Sequence, residues 1–213
     1  RGERRKDAPI GFHLCVFSSL KMVRLHHFHI SCKEYYNRGK NNLFPESYGC
    51  PNPCCSFKGR LRRHGFYTRF ALTLTATYLI FIQRYYCPSC KRTVSLLPSF
   101  LAPNFQYTLA CIFFSFYQIA VRRLTLEHIA SKINLCSGRT EMSYQHICFY
   151  RRRLLENRPL IIGFLGSKEM VMTEPDPVPW LITFVSAVHR HFGLEAFCLE
   201  YFTFQTRHFM SKS

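Results

Sequence analysis

From residue 72 to residue 78 the chain reads Leu-Thr-Leu-Thr-Ala-Thr-Tyr, a strict alternation with the period of two that marks a half-buried strand. With the aromatic and β-branched residues on either side, this pattern predicts strands at about 65–70, 72–78 and 79–86. Beyond residue 104 the period changes. Residues 107–121 are apolar nearly all round, as expected of a buried helix. Leu126, Ile129, Ala130 and Ile133 then fall at i, i+3, i+4 and i+7, predicting a short helix over 124–133 with Thr125 as its cap. Residues 134–140, with Gly138, break it. A second helix follows from about Ser143 to Asn157, with Ser143 capping it, Ile147, Tyr150 and Leu154 turned inward, and Gln145, His146, Phe149, Arg152 and Arg153 turned outward. After the breaker Pro175-Asp176-Pro177-Val178-Pro179 two more apolar patterns cover 180–188 and 194–204.

The elements predict an α+β fold: an N-terminal β ribbon followed by a mainly α-helical region. Residues 1–48 are mixed and polar, and read as an arm or linker. Residues 49–98 form the ribbon, residues 99–158 a helical domain resembling a helix-turn-helix, and residues 159–213 a C-terminal helical extension. The longest apolar stretches, 70–82 and 107–121, fall short of the roughly 18 to 20 residues of a membrane span, so a soluble protein is expected.

Charge sharpens this picture. Over 213 residues, 29 Lys and Arg face 12 Asp and Glu, a net charge of +17. A polyanion is therefore the partner to expect. An apolar fraction of 47% and an aromatic fraction of 16% exclude a disordered basic tail, which lacks the apolar surface that offsets chain entropy. Between Ser47 and Leu126 there is no acidic residue, yet Lys58, Arg60, Arg62, Arg63, Arg69, Arg84, Lys91, Arg92, Arg122 and Arg123 all lie there. A solvated face normally mixes both signs, so this block points to phosphates. The same shortage excludes an acid-rich catalytic centre: Asp7 and Asp176 are the only aspartates, too few for a two-metal cluster. No enzyme is expected.

Eleven cysteines, an odd number with no cleavable leader ahead of them, read as reduced thiols of a cytoplasmic protein. Two groups stand apart. Cys87-Pro88-Ser89-Cys90 is a metal knuckle, and Cys50-Pro51-Asn52-Pro53-Cys54-Cys55 offers a second. Tetrahedral zinc takes four such thiolates from the tips of two hairpins. Cys50, Cys55, Cys87 and Cys90 are the favoured ligands, with Cys54 as the alternative to Cys55 and His64 as a further candidate. The 31 residues between Cys55 and Cys87 exceed the about 15 to 20 of a compact ribbon, leaving room for the predicted strands. Four thiolates close the coordination shell, so the zinc is expected to be structural. Arg60, Arg62, Arg63, Arg84, Lys91 and Arg92 around the knuckles, with Gln145, His146, Arg151, Arg152 and Arg153 on the second helix, are the candidate nucleic-acid contacts. DNA is the first partner to expect, RNA the second and a protein docked on the ribbon the third.

The order Cys-Pro-x-Pro-x-Cys, then Leu61-Arg62-Arg63-His64-Gly65-Phe66-Tyr67, then Arg84-Tyr85-Tyr86-Cys87-Pro88-Ser89-Cys90-Lys91-Arg92-Thr93-Val94 resembles the zinc-ribbon heads of bacterial insertion-sequence transposases. It looks closest to small, uncharacterised bacterial proteins that pair such a ribbon with a helical segment. The resemblance implies Cys50, Cys55, Cys87 and Cys90 as ligands and Cys54 as a non-ligand. It also implies a DNA-binding portion alone, because the catalytic carboxylates of a full transposase have no counterparts here.

Overall fold

The computed structural model describes residues 22–137 and 141–211. The described residues form a four-stranded sheet and seven α-helices. Strand β1 is Met22–His26, helix α1 Cys32–Arg38, β2 Arg62–Leu72, β3 Thr77–Tyr86 and β4 Thr93–Pro98. The helices that follow are α2 (Leu109–Ala120), α3 (Leu126–Ser137), α4 (Tyr144–Glu156), α5 (Arg158–Gly166), α6 (Pro177–Ala187) and α7 (Leu194–Gln205). The sheet order is β1-β4-β3-β2, with β1 parallel to β4 and the other pairs antiparallel.

Two expectations about strands need correction. Residues 72–78 are not a strand of their own: β2 ends at Leu72, and the alternating threonines make the turn into β3. The Thr73 N–H donates to Ala76 O at 2.9 Å, and Thr73 Oγ1 accepts from Ala76 N at 3.0 Å, so a hydroxyl and a backbone group close the hairpin together. The second correction concerns the arm. From residue 22 onward it belongs to the ribbon: β1 pairs along β4 from Met22 opposite Val94 to His26 opposite Pro98. Helix α1 starts at Ser31, whose Oγ accepts from Glu34 N at 3.1 Å, and seats Tyr35 in the sheet's core. Tyr35 is fully buried, its hydroxyl donates to Phe81 O at 2.9 Å, and its ring meets those of Phe28, Phe44 and Phe100 edge-on.

The helical half follows the apolar period closely. Helix α2 buries Cys111, Ile112 and Phe116 completely, and α3 and α4 pack on it through Ile129, Ile133, Ile147, Tyr150 and Leu154. Thr125 caps α3 through its Oγ1, which accepts from His128 N at 3.3 Å. Helix α3 runs past the expected stop at Asn134 to Ser137. Asn134 bonds Met142 through both ends of its amide, at 2.8 and 2.9 Å, and so fixes the connection to α4. The expected break at Gly138 and the isolated Cys15 lie outside the described residues. Residues read as a C-terminal extension close the same core: Trp180, Phe184, Phe197, Tyr201 and Phe209 join Phe113 and Phe116 in one cluster. No helix among the described residues is long and apolar enough to cross a membrane.

Sheet and helices meet at three polar joints. Leu72 O, at the end of β2, accepts from Thr108 N at 2.9 Å and from Cys111 Sγ at 3.3 Å, while Leu72 N donates to Gln106 O at 2.9 Å. The Arg69 guanidinium donates to Ala102 O at 2.7 Å and to Phe105 O. The third joint is His27 Nδ1, which lies 2.9 Å from Ser99 Oγ and 3.0 Å from Glu195 of α7. A serine protease triad places serine and acid on opposite nitrogens of the imidazole. Here both meet the same nitrogen and Ser99 is fully buried, so the trio ties α7 to the β1–β4 edge.

If residues 22–48 were an arm, removing the Tyr35 ring would cost nothing. The packing predicts that Tyr35→Ala destabilises the protein by about 3–5 kcal/mol, read as a lower denaturant midpoint at constant m-value; an unchanged midpoint would restore the arm.

Candidate metal centre

Each knuckle is the tip of a hairpin. The first is narrow: Tyr48 bridges Arg60, Gly49 N donates to Gly59 O at 2.9 Å, and Cys50 N donates to Phe57 O at 2.8 Å. Inside it the two prolines hold the chain open while Asn52 organises the turn, its backbone O accepting from Cys55 N at 2.9 Å and its side-chain Oδ1 from Cys54 N at 3.2 Å. The second knuckle joins β3 to β4. Cys87 N donates to Arg92 O at 2.9 Å and Lys91 N to Cys87 O at 3.0 Å, and the turn closes with Lys91 at φ 60°, in the left-handed region that disfavours any side chain.

The two tips converge. Sγ atoms of Cys50, Cys55, Cys87 and Cys90 lie within 4.8 Å of one another. The nearest pairs cross between the hairpins, Cys50 to Cys90 at 3.6 Å and Cys55 to Cys87 at 3.8 Å. Four sulfurs, each about 2.3 Å from a central ion in a regular tetrahedron, are about 3.8 Å apart. The arrangement therefore fits a single metal ion, and its sulfurs are far too distant from one another for the about 2.05 Å of a disulfide. Cys54 is exposed and stands outside the group, as does His64, so the choice between Cys54 and Cys55 falls on Cys55.

Backbone amides prepare the sulfurs for negative charge. The N–H of Phe57, two residues beyond Cys55, is the main influence drawing that thiol down to about 7. At Cys90 burial pushes the other way but is outweighed by the Arg92 N–H and the neighbouring thiols, and the result is again lowered. Cys50 is pushed up to about 12, chiefly by loss of solvent, although the Asn52 N–H opposes this. The same amide, two residues on, thus faces three of the four sulfurs. A cation bound among them would balance the charge of all four thiolates.

These two knuckles are the start of a longer recognisable segment. Residues 50–133 match the model of a domain of unknown function, DUF6431. The DUF6431 segment takes in both knuckles, β2 to β4, α2 and most of α3. No curated protein and no solved structure matches the chain.

The expected nucleic-acid residues are not one group. At the knuckle end, Arg62, Lys91 and Arg92 are exposed and have no acidic partner among the described residues. Arg63 is exposed and donates to Phe44 O at 3.0 Å, Arg84 is half-buried, and Arg60 is paired with Glu46. At the other end of β2, His146 and Phe149 of α4 rest on Tyr107 and Phe105, beside Leu72. Ten residues of strand, about 30 Å, separate Leu72 from Arg62. Helix α4 keeps its expected inward face, and Gln145, His146 and Arg152 are exposed as expected, whereas Phe149 and Arg153 are half-buried. His146 Nδ1 accepts from Ser143 N at 3.1 Å and so completes the cap. Arg153 has a side chain only 16% exposed, bonds Glu156 at 2.8 Å and lies over Phe149. Arg152 is exposed but within 3.8 Å of the same Glu156, which leaves Gln145 and Arg151 as its expected residues without an assigned structural role. Period alone placed Arg153 outward because one aliphatic stem and one charge fit either side. Arg69, one of the ten cations in the acid-free block, is turned into the joint with residues 102–105.

Two substitutions test this geometry. Cys55→Ser should weaken metal binding by more than the about 100-fold that loss of an outer-shell partner costs, whereas Cys54→Ser should keep the full metal content under the same chelator competition. Lys91→Gly relieves the left-handed residue and should raise stability by about 0.5–1 kcal/mol with metal content unchanged.

Proposed function

We propose that this protein is a zinc-stabilised nucleic-acid-binding protein, with DNA as its foremost partner and a binding rather than a catalytic role. The observation that carries the reading is the cluster of exposed cations at the second knuckle and the start of β2. Arg62, Arg63, Lys91 and Arg92 are exposed there, and Glu46, the acid beside them, is engaged by Arg60. Such a cluster holds phosphate by charge and positions a polyanion without reading its sequence.

Zinc suits the all-sulfur donor set and the tetrahedral spacing. Cys50, Cys55, Cys87 and Cys90 would hold it, and its role when bound is to fix the two hairpin tips against each other. Four thiolates leave no open position for water, which supports a structural ion. The ribbon's resemblance to the heads of insertion-sequence transposases supports DNA over RNA, and an accessory or regulatory part beside such elements fits a chain with this few carboxylates.

Binding of a random DNA duplex should fall steeply with salt, losing about 10³-fold between 50 and 200 mM if six phosphates are contacted. Lys91→Gly should reduce the slope of log affinity against log salt by about 0.9 while keeping the metal. Salt-insensitive binding, or an unchanged slope in this variant, would contradict the assignment.

A further inference from the structure

Register identifies what the knuckle end of the sheet presents. Arg62 of β2 stands directly opposite Tyr86 of β3, which stands opposite Thr93 of β4. Opposed residues in an antiparallel sheet share a face, and Arg84, two residues before Tyr86, shares it as well. None of these four side chains is buried. On the reverse face Tyr85 and Val94 are 1% and 0% exposed, so the sheet here has one covered side and one open side.

The open side carries rings among cations. The irregularity in β2 between Arg63 and Phe66 brings His64 over Tyr86, with ring centroids 5.6 Å apart and planes 33° apart. His64 is exposed, and Gly65 behind it, at φ 82°, has open space on its side-chain position. Arg62 and Arg84 share this side of the sheet, and Lys91 lies in the knuckle turn that adjoins it. Arg84 is half-buried, and its Nε is enclosed without a hydrogen-bond partner.

We propose that the open face formed by Arg62, His64, Arg84 and Tyr86, with Lys91 in the adjoining knuckle turn, is a stacking platform for single-stranded nucleic acid. The inference deepens the nucleic-acid reading above and rests on it. Within a duplex each base face is covered by its neighbours, whereas an unpaired base offers its face to a tyrosine or histidine ring. The surrounding guanidinium and ammonium groups then hold the phosphates on either side. A reader of duplex sequence would instead depend on α4, whose Arg152 and Arg153 are paired with Glu156.

The test uses the full zinc-loaded chain with three probes at one salt concentration: a 15-mer of thymidine, a 15-mer of uridine and a random 15-base-pair duplex. Single strands should bind more tightly than the duplex, and a 2-aminopurine placed in the DNA strand should be quenched on binding. Tyr86→Leu keeps an apolar side chain but loses the ring, and should weaken single-strand binding about tenfold without changing duplex binding or metal content. Tyr86→Phe should bind as the parent does. Should the leucine variant lose its metal, His64→Ala, at an exposed position, is read in the same way. Preference between the two single strands reports whether the sugar is read, and either preference supports the platform. Tighter duplex binding, or a leucine variant that binds single strands like the parent, would overturn it. Failure of the parent protein to bind any probe, even at low salt, would instead overturn the nucleic-acid reading itself.

Discussion

Everything at the functional end of this molecule depends on bringing four cysteine sulfurs to within 4.8 Å of one another. The first hairpin is also held by Arg24, whose guanidinium donates to Tyr48 O and Gly49 O at 2.6 Å, and Cys50, Cys55, Phe57 and Cys90 pack against the sheet's apolar cluster. That hairpin is closed by one isolated bridge and backbone hydrogen bonds around two prolines, and of the four sulfurs' residues Cys87 alone is fully buried. Four thiolates at this distance repel one another unless a cation balances them. A metal ion held there would supply what an apolar core supplies elsewhere, and would fix the positions of Arg62, Lys91 and Arg92 relative to Tyr86.

The remainder of the fold keeps that end separate and steady. Two apolar clusters form, one under the sheet around Tyr35 and Tyr85, the other among the helices around Phe116 and Phe184. They join through polar contacts at Leu72, Arg69 and the His27–Ser99–Glu195 trio. Arg69 illustrates the division. It belongs to the same acid-free block as the exposed arginines, yet its guanidinium is spent on the carbonyls of Ala102 and Phe105, where it stabilises the joint and cannot meet a phosphate.

Much of this was legible in the sequence where a pattern is local. The second knuckle, the buried helix α2 and the caps of α3 and α4 at Thr125 and Ser143 rest on spacings of a few residues, and they lie where those spacings put them. What was not legible depended on partners far along the chain. Strand β1 is short and half-buried throughout, and its parallel partner lies some seventy residues away, so no period announces it. The threonines of 72–78 alternate as a strand does, but their hydroxyls serve a turn equally well. Helix α4 shows the same limit at the level of side chains. Its core residues were identified by period, whereas the fates of His146 and Arg153 were decided by Ser143 and Glu156 and by the rings of Tyr107 and Phe149.

The central claim is that one zinc ion sits among four thiolates. X-ray absorption at the zinc edge of the purified protein tests it without reference to any ligand or activity. One zinc per chain with four sulfurs at about 2.3 Å is the result expected. A first shell containing nitrogen or oxygen, or a purified folded protein that holds no zinc, would contradict it.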